Sequence, residues 1–327
     1  MKTFFGKGVV RKILAYNSSL MLLLLVCLVP LSAHAEPYQC DVSGDDRLGL
    51  EEAIYLLRHF SGAFVGGSHE VLDCGEPDFE ITASGSLGTD AKRYILCRIN
   101  EIRSQVALGT IEDNDGSDGS WPVATNMQRM QWDENLAAVA QNYADECTFA
   151  HNSSRGADYA LLTGLSNPMV GENIAARWSS RTTDSAEALT ALETAFAGWN
   201  GESSLWHYDT INDESWAAGI GHFTQHVWAE TTRVGCGQAW CIDDGWNMVF
   251  TVCNFYIAGN WTNYYPYTSG SDVCADDVQT GDTCENGLIT PADYDDGLGF
   301  ACDVNGDNVL GLEELIEALR VLSGHLN

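Results

Sequence analysis

Two short stretches of the chain carry oxygen donors at spacings suited to a hard cation. Asp41, Ser43, Asp45, Arg47 and Glu52 stand at positions 1, 3, 5, 7 and 12 of a twelve-residue stretch; Asp303, Asn305, Asp307, Val309 and Glu314 repeat it. Calcium takes about six to eight oxygens, and such a loop supplies them as short carboxylates and amides, one backbone carbonyl and a two-oxygen Glu at its end. Position 7 contributes only its carbonyl, so Arg47 and Val309 are both acceptable there. Position 6 favours Gly for a left-handed turn and here holds Asp46 or Asn308, the non-Gly types that tolerate that backbone best. The substitution weakens such a loop without abolishing it.

The elements around the loops follow from hydrophobic spacing. Leu50, Ala53, Ile54 and Leu57, and again Leu312, Leu315, Ile316 and Leu319, form the i, i+3, i+4, i+7 stripe of an exiting helix. Nothing helical precedes either loop. A calcium loop with only its exiting helix resembles a dockerin repeat more than a complete EF-hand. Dockerins meet a cohesin partner through loop positions 10 and 11, often a Ser/Thr pair. Here these are Leu50-Glu51 and Leu312-Glu313, so a cohesin-like partner is the lesser reading. Each stripe needs cover, and the two repeats can supply it by pairing with each other.

The 327 residues carry 16 Lys+Arg against 46 Asp+Glu, a formal charge of −30, with 45% hydrophobic residues. That composition supports a packed core and excludes wholesale disorder. The acidity argues against a nucleic-acid partner and an anionic membrane surface, since phosphate binding needs clustered Lys and Arg. Lys2, Lys7, Arg11 and Lys12 precede the apolar run 20–31 and Ser32-Ala33-His34-Ala35, the pattern of a secretory signal peptide cut after Ala35. The run is too short to span a membrane, which takes about 20 residues. Removal of this segment takes four bases and no acid and leaves a charge of −34. It also removes Cys27, so ten cysteines remain, an even number that in an exported chain reads as disulfides. The organisation expected is signal peptide 1–35, calcium loop-helix 36–62, linker 63–88, central domain 89–262, disulfide-stapled linker 263–301 and second calcium loop-helix 302–327.

Within 89–262 several ordered motifs occur. Gly221-His222-Phe223-Thr224-Gln225-His226-Val227-Trp228, then Thr231 and Val234-Gly235-Cys236-Gly237, resembles the first signature of the CAP superfamily, which covers cysteine-rich secretory proteins, antigen 5 allergens and plant pathogenesis-related proteins 1. Val252-Cys253-Asn254 with Ala258-Gly259-Asn260-Trp261 resembles the second signature. Asn126-Met127, Met130, Trp132, Leu136-Ala137, Ala140-Gln141, Tyr143-Ala144 and Cys147 follow the family's second helix, and Asn100 and Arg103 its first. His226 stands where the family has an aliphatic residue, and Ile257 replaces its usual Pro.

The resemblance implies an α+β fold, a three-layer α/β/α sandwich, with disulfides Cys147–Cys241 and Cys236–Cys253. Cys40, Cys74, Cys97, Cys274, Cys284 and Cys302 then allow fifteen connectivities. It also implies a cleft tetrad of His151, Glu172, Glu202 and His222. Two imidazoles and two carboxylates can hold zinc or another divalent metal, with His151 and His222 as ligands, or simply hydrogen-bond one another. In a helical signature His222 and His226 lie at i and i+4 on one face, a metal-binding spacing; a half-buried His226 bonded to backbone is the favoured alternative.

Three functions compete. The leading one is a secreted, calcium-stabilised protein that binds a small hydrophobic, lipid or protein ligand in the cleft without turning it over. The second is a metal-dependent or Glu/His hydrolase, weakened because Ser203 and Ser204 fall in no nucleophile motif. The third is an assembly component docked through its repeats. The superfamily has no common reaction, so fold alone does not choose.

Overall fold

The computed structural model describes residues 71, 72, 74, 81, 87–111, 120–292, 294 and 296–298. The calcium-loop residues from Asp41 to Glu52 and from Asp303 to Glu314, the cut after Ala35, and Cys27, Cys40 and Cys302 lie outside them. Phe64–Gly299 is one compact unit of the chain, and the description below concerns that unit.

Three of the described helices begin on side-chain caps. The long first helix, α1 (Thr89–Ala107), turns a face of Ile95, Ile99, Ile102 and Val106 inward. After the short strands β1 (Val123–Ala124) and β2 (Gln131–Trp132) comes α2 (Glu134–Ala144). Asp133 caps α2, its Oδ1 accepting from the backbone N–H of Asn135 at 2.9 Å and of Leu136 at 3.0 Å. Then follow α3 (Arg155–Thr163), β3 (Gly171–Ser179) and α4 (Ser185–Gly201), the last capped by Asp184, and a 3₁₀ turn at Glu202–Leu205. Asn212 and Ser215 form a reciprocal capping box on α5 (Asp213–Ala218). The remaining elements are α6 (Gly221–His226), β4 (Arg233–Asp243), β5 (Trp246–Tyr256), β6 (Ser269–Gly270), β7 (Thr283–Glu285) and β8 (Leu288–Thr290).

The main sheet has the order β2-β4-β5-β3, with β2 parallel to β4 and the other pairs antiparallel. Both faces are covered, and strand alternation shows how. On β4, Gly235 and Gly237 lie under α2 so closely that an added Cβ would sit 2.2 Å from Ala137 N and 2.4 Å from Gln141 N. Glycine here lets helix backbone rest on strand backbone. Gln238, the next residue along the strand, points the other way and donates to Ala188 O of α4 at 3.2 Å. Cys236, Cys253 and Phe255 share that side with Leu192, Phe196 and Trp199 in the largest apolar cluster. Mixed α+β architecture, with helices on both faces of one sheet, is thus present.

Four disulfides close the unit. Cys147–Cys241 and Cys236–Cys253 are the two implied by the resemblance; Cys74–Cys97 and Cys274–Cys284 are added by the structure. Residues after the second signature are folded onto the domain: β6 pairs with β1, and Leu288 and Ile289 are fully buried. Among the described residues no helix is long and apolar enough to cross a membrane.

Inside the unit Arg103 is fully buried and faces carbonyls instead of a carboxylate. Its guanidinium donates to Gln128 O (2.6 and 2.8 Å), His226 O and Trp228 O (2.8 Å each) and Ala229 O (3.1 Å). Burial pulls its pKa down to about 9, so it stays charged at neutral pH and ties α1 to the segment following α6.

Candidate functional site

The first signature forms α6 and the segment that leads into β4, and the second runs from β5 into the turn after it. Side chains join the two: Thr224 Oγ1 donates to Asn260 Oδ1 at 2.6 Å, Asn260 Nδ2 donates to Gly221 O at 2.8 Å, and Gln225 Oε1 accepts from Gly259 N at 3.0 Å. Residues far apart in sequence thereby build one wall of a cavity of about 650 Å³. His151, Glu172 and His222 all line it.

Each histidine is held by its own carboxylate. His151 follows α2, and its Nδ1 donates to Glu172 Oε1 at 2.8 Å; the same oxygen accepts from Asn152 N at 2.9 Å. His222 is the second residue of α6, and its Nδ1 donates to Glu202 Oε1 at 2.5 Å. Glu202 Oε2 accepts from the first N–H groups of that helix, His222 N at 2.9 Å and Phe223 N at 3.0 Å. A carboxylate at a helix N-terminus is favourable for both the orphan donors and the macrodipole. The Trp199 ring stacks on His222 with centroids 5.8 Å apart, so the one-turn spacing of Trp199 and Glu202 brings both to the same imidazole. With Nδ1 committed in each case, Nε2 is the ring nitrogen turned toward any ligand.

The four tetrad residues therefore come together as two His–carboxylate pairs. As a donor set for a transition metal they offer two imidazole nitrogens. The carboxylates are engaged by the histidines and by backbone, and among the described residues no group of three or more His, Cys, Asp or Glu is arranged around a common point. Glu172 Oε2 is buried without a hydrogen-bond partner in the protein.

His226 is not part of this wall. It is wholly buried and absent from the cavity lining. Its Nδ1 donates to Asn200 Oδ1 at 2.8 Å, and its ring stacks on Phe196 at 5.7 Å. The helical i, i+4 relation holds, since Trp199 touches both rings, yet one ring opens to the cavity and the other is walled in. The expected half-buried, backbone-bonded histidine is corrected on both counts: burial is complete and the partner is a side-chain amide. Burial, with the nearby charges of His222 and Arg103, lowers the pKa of His226 to about 3.

Ser203 and Ser204 do not reach the cavity; Ser204 Oγ donates to Gly201 O at 2.8 Å. The cavity also uses residues that motif reading had not assigned to it: Arg155, Met169, Trp216 and Trp261. Trp261 ends the second signature and was visible there. Trp216 lies on α5, outside both signatures, and only the packing of α5 beside Gly221 brings it in.

The model of the cysteine-rich secretory protein family (CAP) matches residues 96–255. Venom allergen 5 of Rhynchium brunneum is 34% identical over 215 residues, covering 64% of this chain and 84% of its own length. Venom allergen 3 of Solenopsis invicta is 34% identical over 178 residues, covering 53% of this chain and 70% of its own length. Among solved structures, that of Na-ASP-1 matches with a TM-score of 0.53 at 26% identity, covering 66% of this chain and 52% of that one.

Proposed function

The chain belongs to the cysteine-rich secretory protein (CAP) family, and on that premise we propose that it is a binding protein whose ligand enters the His151/His222 cavity. The observation that carries this reading is the pair of carboxylate-held imidazoles lining one space of about 650 Å³. A histidine fixed through Nδ1 presents Nε2 to a ligand, and the carboxylate on Nδ1 holds its ring in place. His151 and His222 would hold zinc or another divalent transition metal, with waters or the ligand completing its shell; two protein ligands make a weaker site than the three usual for catalytic zinc. Met169, Trp216 and Trp261 supply an apolar wall for a small hydrophobic or lipid ligand beside it.

Among the described residues the Glu172 and Glu202 carboxylates bond imidazole and backbone groups, which suits holding the histidines in place for binding. Export is supported by four disulfides and the leader-like N-terminus. Calcium at the two terminal loops, a dockerin-like role for them and any cohesin-like partner rest on sequence spacing alone. The reading is tested by calorimetric zinc titration of the mature protein and of His151→Ala and His222→Ala. Loss of affinity in both variants supports it, and unchanged affinity in both rejects it.

A further inference from the structure

A second cavity, of about 710 Å³, shares Trp261 with the first and contains none of the tetrad residues. Its walls are aromatic: Tyr208 from the loop after the 3₁₀ turn, Trp228 after α6, and Trp261, Tyr264, Tyr265 and Tyr267 from the segment after the second signature. The one charged side chain among its described lining residues is Glu230, which is exposed.

The rings are set before any ligand arrives. Tyr208 stacks on Tyr265 with centroids 5.0 Å apart and lies 4.7 Å from Tyr267. The Tyr208 hydroxyl donates to Tyr267 O at 2.8 Å, and that of Tyr267 to Pro122 O at 3.1 Å. The segment itself is pinned by Ile211 N to Tyr264 O at 2.9 Å and Ala229 N to Pro266 O at 2.8 Å. Tyr264 is 65% exposed and Tyr265 49%, so both rings remain open to solvent on a backbone that is pinned. Fixed aromatic faces cost little entropy when they close on a ligand.

We propose that this cavity is an aromatic cage for a small organic cation of the quaternary or alkylated ammonium class. Ring faces carry negative quadrupole density and attract a cation within about 6 Å, most strongly when it sheds water only weakly held, as an alkylated ammonium does. Glu230 adds a carboxylate at the rim, and the −30 net charge of the chain raises the local concentration of any cation. A neutral apolar ligand would gain from the same rings but nothing from Glu230, and an anion would be repelled by both.

The probe is choline, titrated calorimetrically into the mature protein beside 3,3-dimethylbutan-1-ol, its uncharged carbon isostere. Choline should bind saturably and about threefold to thirtyfold more tightly than the isostere, the range of a cation–π contact. Tyr264→Ala, Tyr265→Ala and Glu230→Gln should each weaken choline by a similar factor. Tyr264 and Glu230 are on the surface, so thermal melting of Tyr264→Ala and Glu230→Gln should match that of the parent. His151→Ala should leave choline binding intact, which separates this site from the cleft. Choline heats that do not saturate, equal affinity for the isostere, or choline affinity unchanged in all three variants would each overturn the assignment.

Discussion

Glu172 Oε1 lies 2.8 Å from His151 Nδ1, and of this pair the carboxylate side chain is fully buried while the imidazole is more than half exposed. The buried partner fixes the exposed one. Glu172→Ala removes the acceptor for both His151 and Asn152 N, and a loss of about 2–4 kcal/mol in stability is expected from denaturant unfolding. Zinc affinity should fall about 10- to 100-fold in the same variant, the effect of losing an orienting carboxylate.

Acid should unfold the protein partly through His226. Its folded pKa of about 3 is below the unfolded value of 6.5, so the unfolded chain takes up a proton that the native state refuses. The stability it permits is full above pH 6.5 and is lost as pH falls toward 3, by about 1.4 kcal/mol per pH unit. His226→Leu should therefore show a flatter loss of stability between pH 6.5 and 4 in urea titrations. Parallel curves for the two proteins would refute the burial account.

Arg103 offers a separate test of packing. Lysine in its place keeps a charge but cannot reach four carbonyls from a planar fork. Arg103→Lys is expected to cost about 3 kcal/mol or more, measured as a lower thermal midpoint, because buried carbonyls are left unpaired.

Much of this was legible in residue order, and the unread part has physical causes. The family resemblance pointed to all four tetrad residues, of which His222 alone lies in a signature motif. Which glutamate serves which histidine was not legible, since Glu202 reaches His222 across 20 residues only through the docking of α6 on the end of α4. The fate of His226 turned on Asn200, whose amide no periodicity marks as a partner. Cysteine pairing followed the same division. Cys147–Cys241 and Cys236–Cys253 were implied by family resemblance, whereas Cys74–Cys97 and Cys274–Cys284 depend on how segments outside the signatures fold back.

The terminal loops predict a calcium stoichiometry. Titration of the mature chain should find two ions at affinities of about 10⁻⁴–10⁻³ M, the range of extracellular modules. Glu52→Gln and Glu314→Gln should each remove one. If both variants still bind two, the loop reading fails.

Whether His151 and His222 serve one ligand is the central claim, and a double-mutant cycle on zinc affinity measures it. Two histidines holding the same ion are coupled, so His151→Ala and His222→Ala should each lower affinity by at least about tenfold, with the double variant scarcely worse than the weaker single one. Additive losses across the cycle, or affinity that survives in the double variant, would mean that the two imidazoles do not share a ligand.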